Sequence, residues 1–376
     1  MTERLSKYED WARACMHLRC GLCRENCPAY SQLKLDSYSA KGKLTMLYHW
    51  LKGGLQPDEV MADRVFACTS CGLCDVACGY DQSTAIQDMK AALLESGVNA
   101  PESYMRISER TKETGNPYAE DKDAAHAYLE TIPETKLDSA DFTLFLGCTE
   151  IYREQDQVDS VLQILRAAKV SFNVISQNIC CGSPTFRVGD DAQARVQAGL
   201  VTSLFADMST SSVLASCSGC YRMFVHDYPS LIPEAEVPPV LHTVQLIDRL
   251  LREKKLKPRS LEAVVTYHDP CHLGRHSGIY DEPRRIIQAI PGLKLVEMEW
   301  AHKFSKCCGA GGGFRSGREE DAISIAARRV QEAESVGATI LLTACPFCLR
   351  NLTDGAERIS SSIKIQTVES LLAEQL

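Results

Sequence analysis

The chain has 376 residues, with 41 basic against 49 acidic side chains, a formal charge of -8, and 45% hydrophobic and 24% charged residues. That length suits two or three domains with ample core; the composition excludes a disordered chain or a coiled coil, and the negative charge disfavours nucleic acid or anionic lipid as partner. No apolar run approaches a membrane span and the opening MTERLSKYEDWARAC has no signal-peptide core, so a soluble, cytoplasmic protein is expected. Its 18 cysteines, with no export signal, point to metal rather than to disulfides.

Residues 1–100 read as a small, mostly helical domain, with helical stretches GKLTMLYHWLKGG and STAIQDMKAALLESG around two cysteine runs. Cys68, Cys71, Cys74 and Cys78 have the C-x2-C-x2-C-x3-C spacing of bacterial ferredoxins, in which three close cysteines hold one 4Fe-4S cube and the fourth reaches to the other. A zinc ribbon would instead use separated C-x2-C pairs. Cys15, Cys20, Cys23 and Cys27 depart from the pattern: four residues separate the first two, and His17 stands at the usual distance. Either the loop is lengthened and Cys15 is the ligand, or His17 replaces it; thiolate is the usual ligand, so Cys15 is expected. Crosswise ligation then assigns Cys15, Cys20, Cys23 and Cys78 to one cubane and Cys68, Cys71, Cys74 and Cys27 to the other.

Residues 101–140 turn polar and acidic and are expected to form a linker packed over the surface, anchored by Tyr118 and Tyr128. The remaining ten cysteines fall into two sets of five: Cys148, Cys180, Cys181, Cys217 and Cys220, then Cys271, Cys307, Cys308, Cys345 and Cys348. Cys148 to Cys271 is a step of 123 residues, Cys180 to Cys307 of 127 and Cys217 to Cys345 of 128, the mark of a duplicated unit. HTVQLIDRLL from His242 resembles QTVESLLAEQL from Gln366. In each unit, expected at 141–258 and 259–376, short β-prone runs such as FTLFLGC and ATILLTAC lead into cysteines and alternate with helical periodicity. The fold class is therefore α+β and α/β: a helical N-terminal domain, then two α/β units whose cysteines fall at the carboxyl ends of parallel strands, where ligands of such sheets gather.

Adjacent cysteines constrain the metal. Neighbouring side chains leave the backbone in different directions, so Cys180 and Cys181 on one tetrahedral zinc would strain the chain, whereas a cluster of several irons offers each thiolate its own site. A vicinal disulfide is the alternative; its geometry is strained and it leaves three cysteines per set unexplained.

A lone cysteine, then CCG, then C-x2-C, twice, resembles the CCG domains of heterodisulfide reductase, and with the ferredoxin runs ahead of them the chain resembles the family of that enzyme's fused D subunit. YHDPCHLGR around Cys271 and CCGAGGGF from Cys307 strengthen the likeness. The resemblance implies two noncubane 4Fe-4S clusters, one per five-cysteine set, besides the two cubanes. It also implies that Cys180, Cys181, Cys307 and Cys308 belong to the catalytic centres, where the clusters take up the sulfurs of a disulfide in one-electron steps. The cubanes form the wire. Electrons enter from flavoprotein, quinone-linked or haem-bearing components of a larger complex, since no flavin or nicotinamide motif is present: GAGGGF does not fit G-x-G-x-x-G. Its glycines are expected to bring backbone amides to cluster sulfur.

Two other readings stand beside disulfide or heterodisulfide reduction. One is a non-catalytic electron-transfer component of a flavin- or quinone-linked complex, like those of glycolate, lactate or glycerol-3-phosphate dehydrogenases or benzoyl-CoA reductase; the other is a zinc scaffold. His268, His272 and His276 flank Cys271 at spacings of four, suited to one helical face. The cysteines already saturate the expected metal, so these histidines are expected as hydrogen-bond donors near the clusters, one of them as a proton donor to a departing thiolate. Arg275 and Arg315 are expected either to neutralise cluster or substrate charge or to be ion-paired. The location is cytoplasmic or peripheral on a membrane complex.

Overall fold

Runs of β-branched and aromatic residues form the strands, and each run stops where the chain enters a cysteine loop or a helix cap. The computed structural model describes residues 2–18, 20–137 and 139–376. Strands β1 (Ser139–Phe145), β2 (Phe172–Val174), β3 (Ser209–Ala215) and β4 (Val240–His242) make one sheet in the order β2-β1-β3-β4. Strands β5 (Ala263–Tyr267), β6 (Leu293–Leu295), β7 (Ile340–Thr343) and β8 (Lys364–Thr367) make the second in the order β6-β5-β7-β8. All neighbours are parallel, with Leu144 between Val174 and Leu214, and Tyr267 opposite Leu342. Parallel pairing requires crossovers, which helices Gln155–Ala167 and Asp191–Asp207 supply in the first sheet and Asp281–Gln288 and Glu319–Ser335 in the second. The sequence repeat is thus a repeat of topology.

The two units pack reciprocally. Helix Gln155–Ala167 of the first lies against Val368–Ala373 of the second, and Thr243–Arg252 lies against Asp281–Gln288, so each unit offers its first crossover helix to the other's terminal helix. This is the isologous pattern of a twofold axis. One apolar core runs through the pair, including Val158, Leu162, Leu246, Ile247, Ile286 and Leu371, and a separate one around Ala326, Val330, Leu341 and Leu352 lies within the second unit.

Residues 2–100 hold no strand among the described residues; helices Glu9–His17, Ala40–Leu51, Glu59–Phe66 and Gln82–Glu95 enclose Leu44, Leu47, Val65, Phe66, Ile86 and Met89. Ser39 and Asp58 cap two of them by accepting from Gly42 N at 3.0 Å and Met61 N at 2.7 Å. The stretch 101–140, expected as a polar linker, carries helices Glu102–Thr114 and Lys122–Glu130. Tyr104, Ile107, Ser108 and Thr111 are buried on one face of the first, an i, i+3, i+4, i+7 pattern that two polar members disguise in the sequence. Tyr118 and Tyr128 do anchor the segment, through Thr149 Oγ1 at 2.8 Å and Asp159 at 3.2 Å. Among the described residues no helix is long and apolar enough to cross a membrane.

Lys90 joins the three parts. It is wholly buried on helix Gln82–Glu95, and its Nζ donates to the carbonyls of Cys68 (3.2 Å), Arg187 (2.9 Å) and Gly312 (2.9 Å). These acceptors come from the N-terminal domain, the first unit and the second. The three protons of an ammonium are thereby used in full, while burial draws the pKa down to about 8.

Candidate metal centres

In the N-terminal domain, Cys27 lines one small cavity with Cys68, Cys71 and Cys74, beside the buried Lys43. Cys15, Cys20, Cys23 and Cys78 lie close enough for their charges to raise the pKa values of Cys15 and Cys23, after burial has done most of it. His17 is exposed. Sequence order is thus crossed in space, and Cys15 stands with the other three thiols.

All ten cysteines of the two units sit just beyond strand carboxyl ends or on the loops between them; nine are buried and Cys271 is half-buried. Every thiol is free, so no vicinal disulfide joins Cys180 to Cys181 or Cys307 to Cys308. The two CCG turns share one device: Gly182 N donates to Cys180 Sγ at 3.4 Å and Gly309 N to Cys307 Sγ at 3.3 Å, with φ of +83° and +94°. That left-handed turn aims the amide back at sulfur, which an L side chain would strain.

Between the two sets lies a cavity of about 310 Å³ lined by nine of the ten cysteines, all but Cys180. Cys217 and Cys345 hydrogen-bond each other across it, and Cys308 Sγ lies 3.3 Å from Cys348 Sγ. Ser218 Oγ donates to Ala344 O at 2.7 Å and Thr243 Oγ1 to Glu369 Oε1 at 2.8 Å, fixing the halves to each other at this level. Buried Glu150, which accepts from Gly147 N at 2.7 Å, and Glu369 have pKa values pushed up to about 7, chiefly by desolvation. Five arginines also line the cavity: Arg110, Arg153, Arg187, Arg315 and Arg350. Arg187 is tied to Asp227 and Arg315 to Asp354 and Asn351, so Arg315 is ion-paired.

The second five-cysteine set meets the N-terminal domain directly. Cys71 packs with Leu73, Cys307 and Cys271, and a hydrogen bond with Cys307, helped by Arg275, holds the Cys71 thiol below its ordinary range. The backbone around it is gripped from both units: Arg222 donates to Ser70 O at 3.5 Å, His276 Nε2 lies 3.2 Å from the same oxygen, and Arg275 donates to Cys71 O at 2.8 Å. The glycines of GAGGGF serve this junction. A Cβ on Gly311 would stand 2.5 Å from Thr69 O and one on Gly312 2.0 Å from Cys68 O. Gly309 presents its amide to the Cys307 thiol, whereas Gly311 and Gly312 make room for a neighbouring backbone.

Residues 271–277 form turns rather than a helix, and two of the three histidines meet there: the rings of His272 and His276 stand edge to face with centroids 5.6 Å apart. His276 binds the Ser70 loop, His272 lines the cavity with Nε2 buried and unpartnered, and His268 approaches Cys308 and Cys348. Sequence reasoning missed Lys43, Lys90, Arg222 and Arg329 at the centres; they lie outside the cysteine motifs, and the crossing of distant elements is what brings them in.

Soft thiolate donors in sets of four and five, most of them buried and none oxidised, fit polynuclear iron with sulfide better than hard cations or a single tetrahedral zinc. Comparison with known proteins gives the same chemistry. The cysteine-rich CCG domain matches residues 142–225 and 265–353, and the 4Fe-4S dicluster domain matches 11–81. The chain is 32% identical, over 95% of its own length and 93% of the relative's, to the D subunit of dihydromethanophenazine:CoB--CoM heterodisulfide reductase of Methanosarcina acetivorans. It is 29% identical, over 97% of its length and 73% of the relative's, to the B subunit of fumarate reductase (CoM/CoB) of Methanothermobacter marburgensis. A crystal structure of a hypothetical protein from Helicobacter pylori shares the fold, with a TM-score of 0.59 at 11% identity over 99% of this chain and 76% of that one.

Proposed function

Because the chain belongs to the family of the heterodisulfide reductase D subunit and is an iron-sulfur oxidoreductase component, we propose that it reduces a disulfide or heterodisulfide in the cavity between its CCG units. Electrons come from a flavoprotein, quinone-linked or haem-bearing partner by way of two cubanes. The observation that carries this reading is the shared chamber: nine thiols from two equivalent sets face one space between the CCG units, so the clusters they would hold stand opposite each other across it. A mere conduit has no need of two such sites facing each other.

In this reading Cys15, Cys20, Cys23 and Cys78 hold one cubane, Cys27, Cys68, Cys71 and Cys74 the other, and each five-cysteine set a noncubane cluster. The clusters supply one-electron transfer and iron sites with affinity for sulfur. The chain supplies the rest. Contact of Cys71 with Cys307 puts the second cubane loop against the second set, Arg110 and Arg350 on the cavity lining favour a substrate with acidic groups, and His272 Nε2, unpartnered at the cavity wall, hydrogen-bonds a departing thiolate.

The experiment is an anaerobic purification with iron and sulfide analysis, followed by disulfide-dependent oxidation of a reduced artificial donor. About 16 irons per chain, four for each of four clusters, and turnover that disappears in Cys181→Ser and Cys308→Ser support the reading. Zinc in place of iron, or turnover unchanged in both variants, refutes it.

A further inference from the structure

The residue that follows β5 is His268, buried at the corner of the second cysteine cage. Strand register aligns it with Phe145 of the first: Leu144 pairs with Leu214, three residues before Cys217, and Tyr267 pairs with Leu342, three residues before Cys345. One position in the duplicated fold therefore carries two chemistries. Phe145 packs edge-on against Phe205 and Phe224, ring centroids 6.2 and 4.9 Å away. His268 has a ring nitrogen grouped with the sulfurs of Cys308 and Cys348, all within 4.8 Å of one another.

Arg329 decides what that histidine does. Its Nε donates to His268 Nδ1 at 3.2 Å. A guanidinium has donors only and stays charged, so Nδ1 must accept and the single proton of a neutral ring sits on Nε2. An iron-bound histidine has the opposite arrangement, a lone pair to the metal and a proton given from the other nitrogen. Arg329 cannot turn away: it is buried, and it also donates to Trp300 O at 2.8 Å, Ser305 Oγ at 3.2 Å and Glu332 at 2.6 Å.

We propose that His268 is a positioning residue of the second cage, donating Nε2–H to the thiolates of Cys308 and Cys348 and so raising the reduction potential of the cluster held there above that of the first cage, where Phe145 offers no donor. A hydrogen bond to thiolate draws electron density from iron and favours the reduced state. Two cages with the same ligands then titrate apart, and the one beside the cubane loop accepts the electron more readily. The inference rests on the reading that both cages hold clusters.

Potentiometric titration of the holoprotein, followed by electron paramagnetic resonance, tests it. His268→Phe, which copies the first cage, is expected to lower one noncubane midpoint by about 59 mV, the one-electron equivalent of a tenfold change in the ratio of reduced to oxidised cluster. Iron content and the other signals stay constant, and His268→Gln, which keeps an N–H, recovers part of the shift. Unchanged midpoints in His268→Phe, or loss of iron from that site, overturn the proposal. Should His268→Phe fail to fold, pulsed resonance of unsubstituted protein labelled with 15N-histidine decides: a weak coupling supports the proposal and the strong coupling of a bound nitrogen overturns it. Unsubstituted protein without iron overturns the underlying reading as well, and the iron assay separates that outcome from the rest.

Discussion

The two CCG units have the same strand order, the same order of cysteines and the same glycine amide on the first cysteine of the pair, yet their surroundings have little in common. Beside the first cage the chain places Phe145, Leu146, Phe205 and Phe224, an apolar wall. Beside the second it places His268, Asp269, Arg284 and Arg329, all buried and joined by ion pairs and hydrogen bonds. The helices after C-x2-C differ too. Pro346–Arg358 is regular, whereas after Ser218–Arg222 the first unit widens into a π turn over Met223–Asp227 just ahead of Pro229. Proline has no N–H to continue an α ladder, and such turns relieve that mismatch. The cysteine loop around Cys71 packs on thiols of the second cage, Cys271 and Cys307. Duplication has kept the cage and changed what it is set in, so equal ligands need not make equal centres.

The comparison is most severely tested by cutting one cage at a time. Cys308→Ser is expected to stop electrons at the cubanes and leave the first cage oxidised, while Cys181→Ser leaves the second cage reducible; rapid-freeze resonance distinguishes them. Full reduction of the first cage in Cys308→Ser would show that the halves are fed independently.

Next in size is the buried ion pair. Arg284 holds Asp269 through Nη1 at 2.7 Å and Nη2 at 3.0 Å, at the place where the first unit has Leu146. Arg284→Met leaves a buried carboxylate unpaired and should cost about 3–5 kcal/mol, read as a shift in urea midpoint under argon. Adding Asp269→Leu should recover most of it, since the first unit is stable with leucine there.

Lys90 treats the halves alike, with one acceptor in each. Lys90→Met removes the donor to three buried carbonyls and also a buried charge, for an expected net loss of about 1–3 kcal/mol, together with slower reduction of the second cage as the Cys68–Cys71 loop loosens. Smallest is the difference between the two CCG glycines. Alanine at either costs about 1–2 kcal/mol for a left-handed backbone. Gly309→Ala should lose more than Gly182→Ala in the same urea titration, because its Cβ would stand 2.7 Å from Ala322 O, against 3.2 Å from Ala194 O for Gly182.

Much of the site could be read from the chain because cysteine pattern is local: C-x2-C spacing, the CCG doublets and the 128-residue step from Cys217 to Cys345 are all visible in one dimension. So were the strands, whose apolar runs end at cysteines. Contacts set by docking were not. GAGGGF reads as a cluster-binding loop until Cys68 O and Thr69 O are found against it, and nothing near Lys90 announces that three carbonyls from distant elements surround it. His268, His272 and His276 suggest one helical face; Pro270 and Gly274 break the segment, so that His272 and His276 meet edge to face while His268 approaches Cys308 and Cys348.

The reciprocal packing of the units also governs how the protein is made. Part of the apolar face of Gln155–Ala167 finds its cover in Val368–Ala373, about 200 residues later. At roughly 5–20 residues per second of translation, that part stands open for about 10–40 s on the ribosome. A nascent chain so exposed invites a chaperone, and iron delivered during those seconds would meet half a binding chamber.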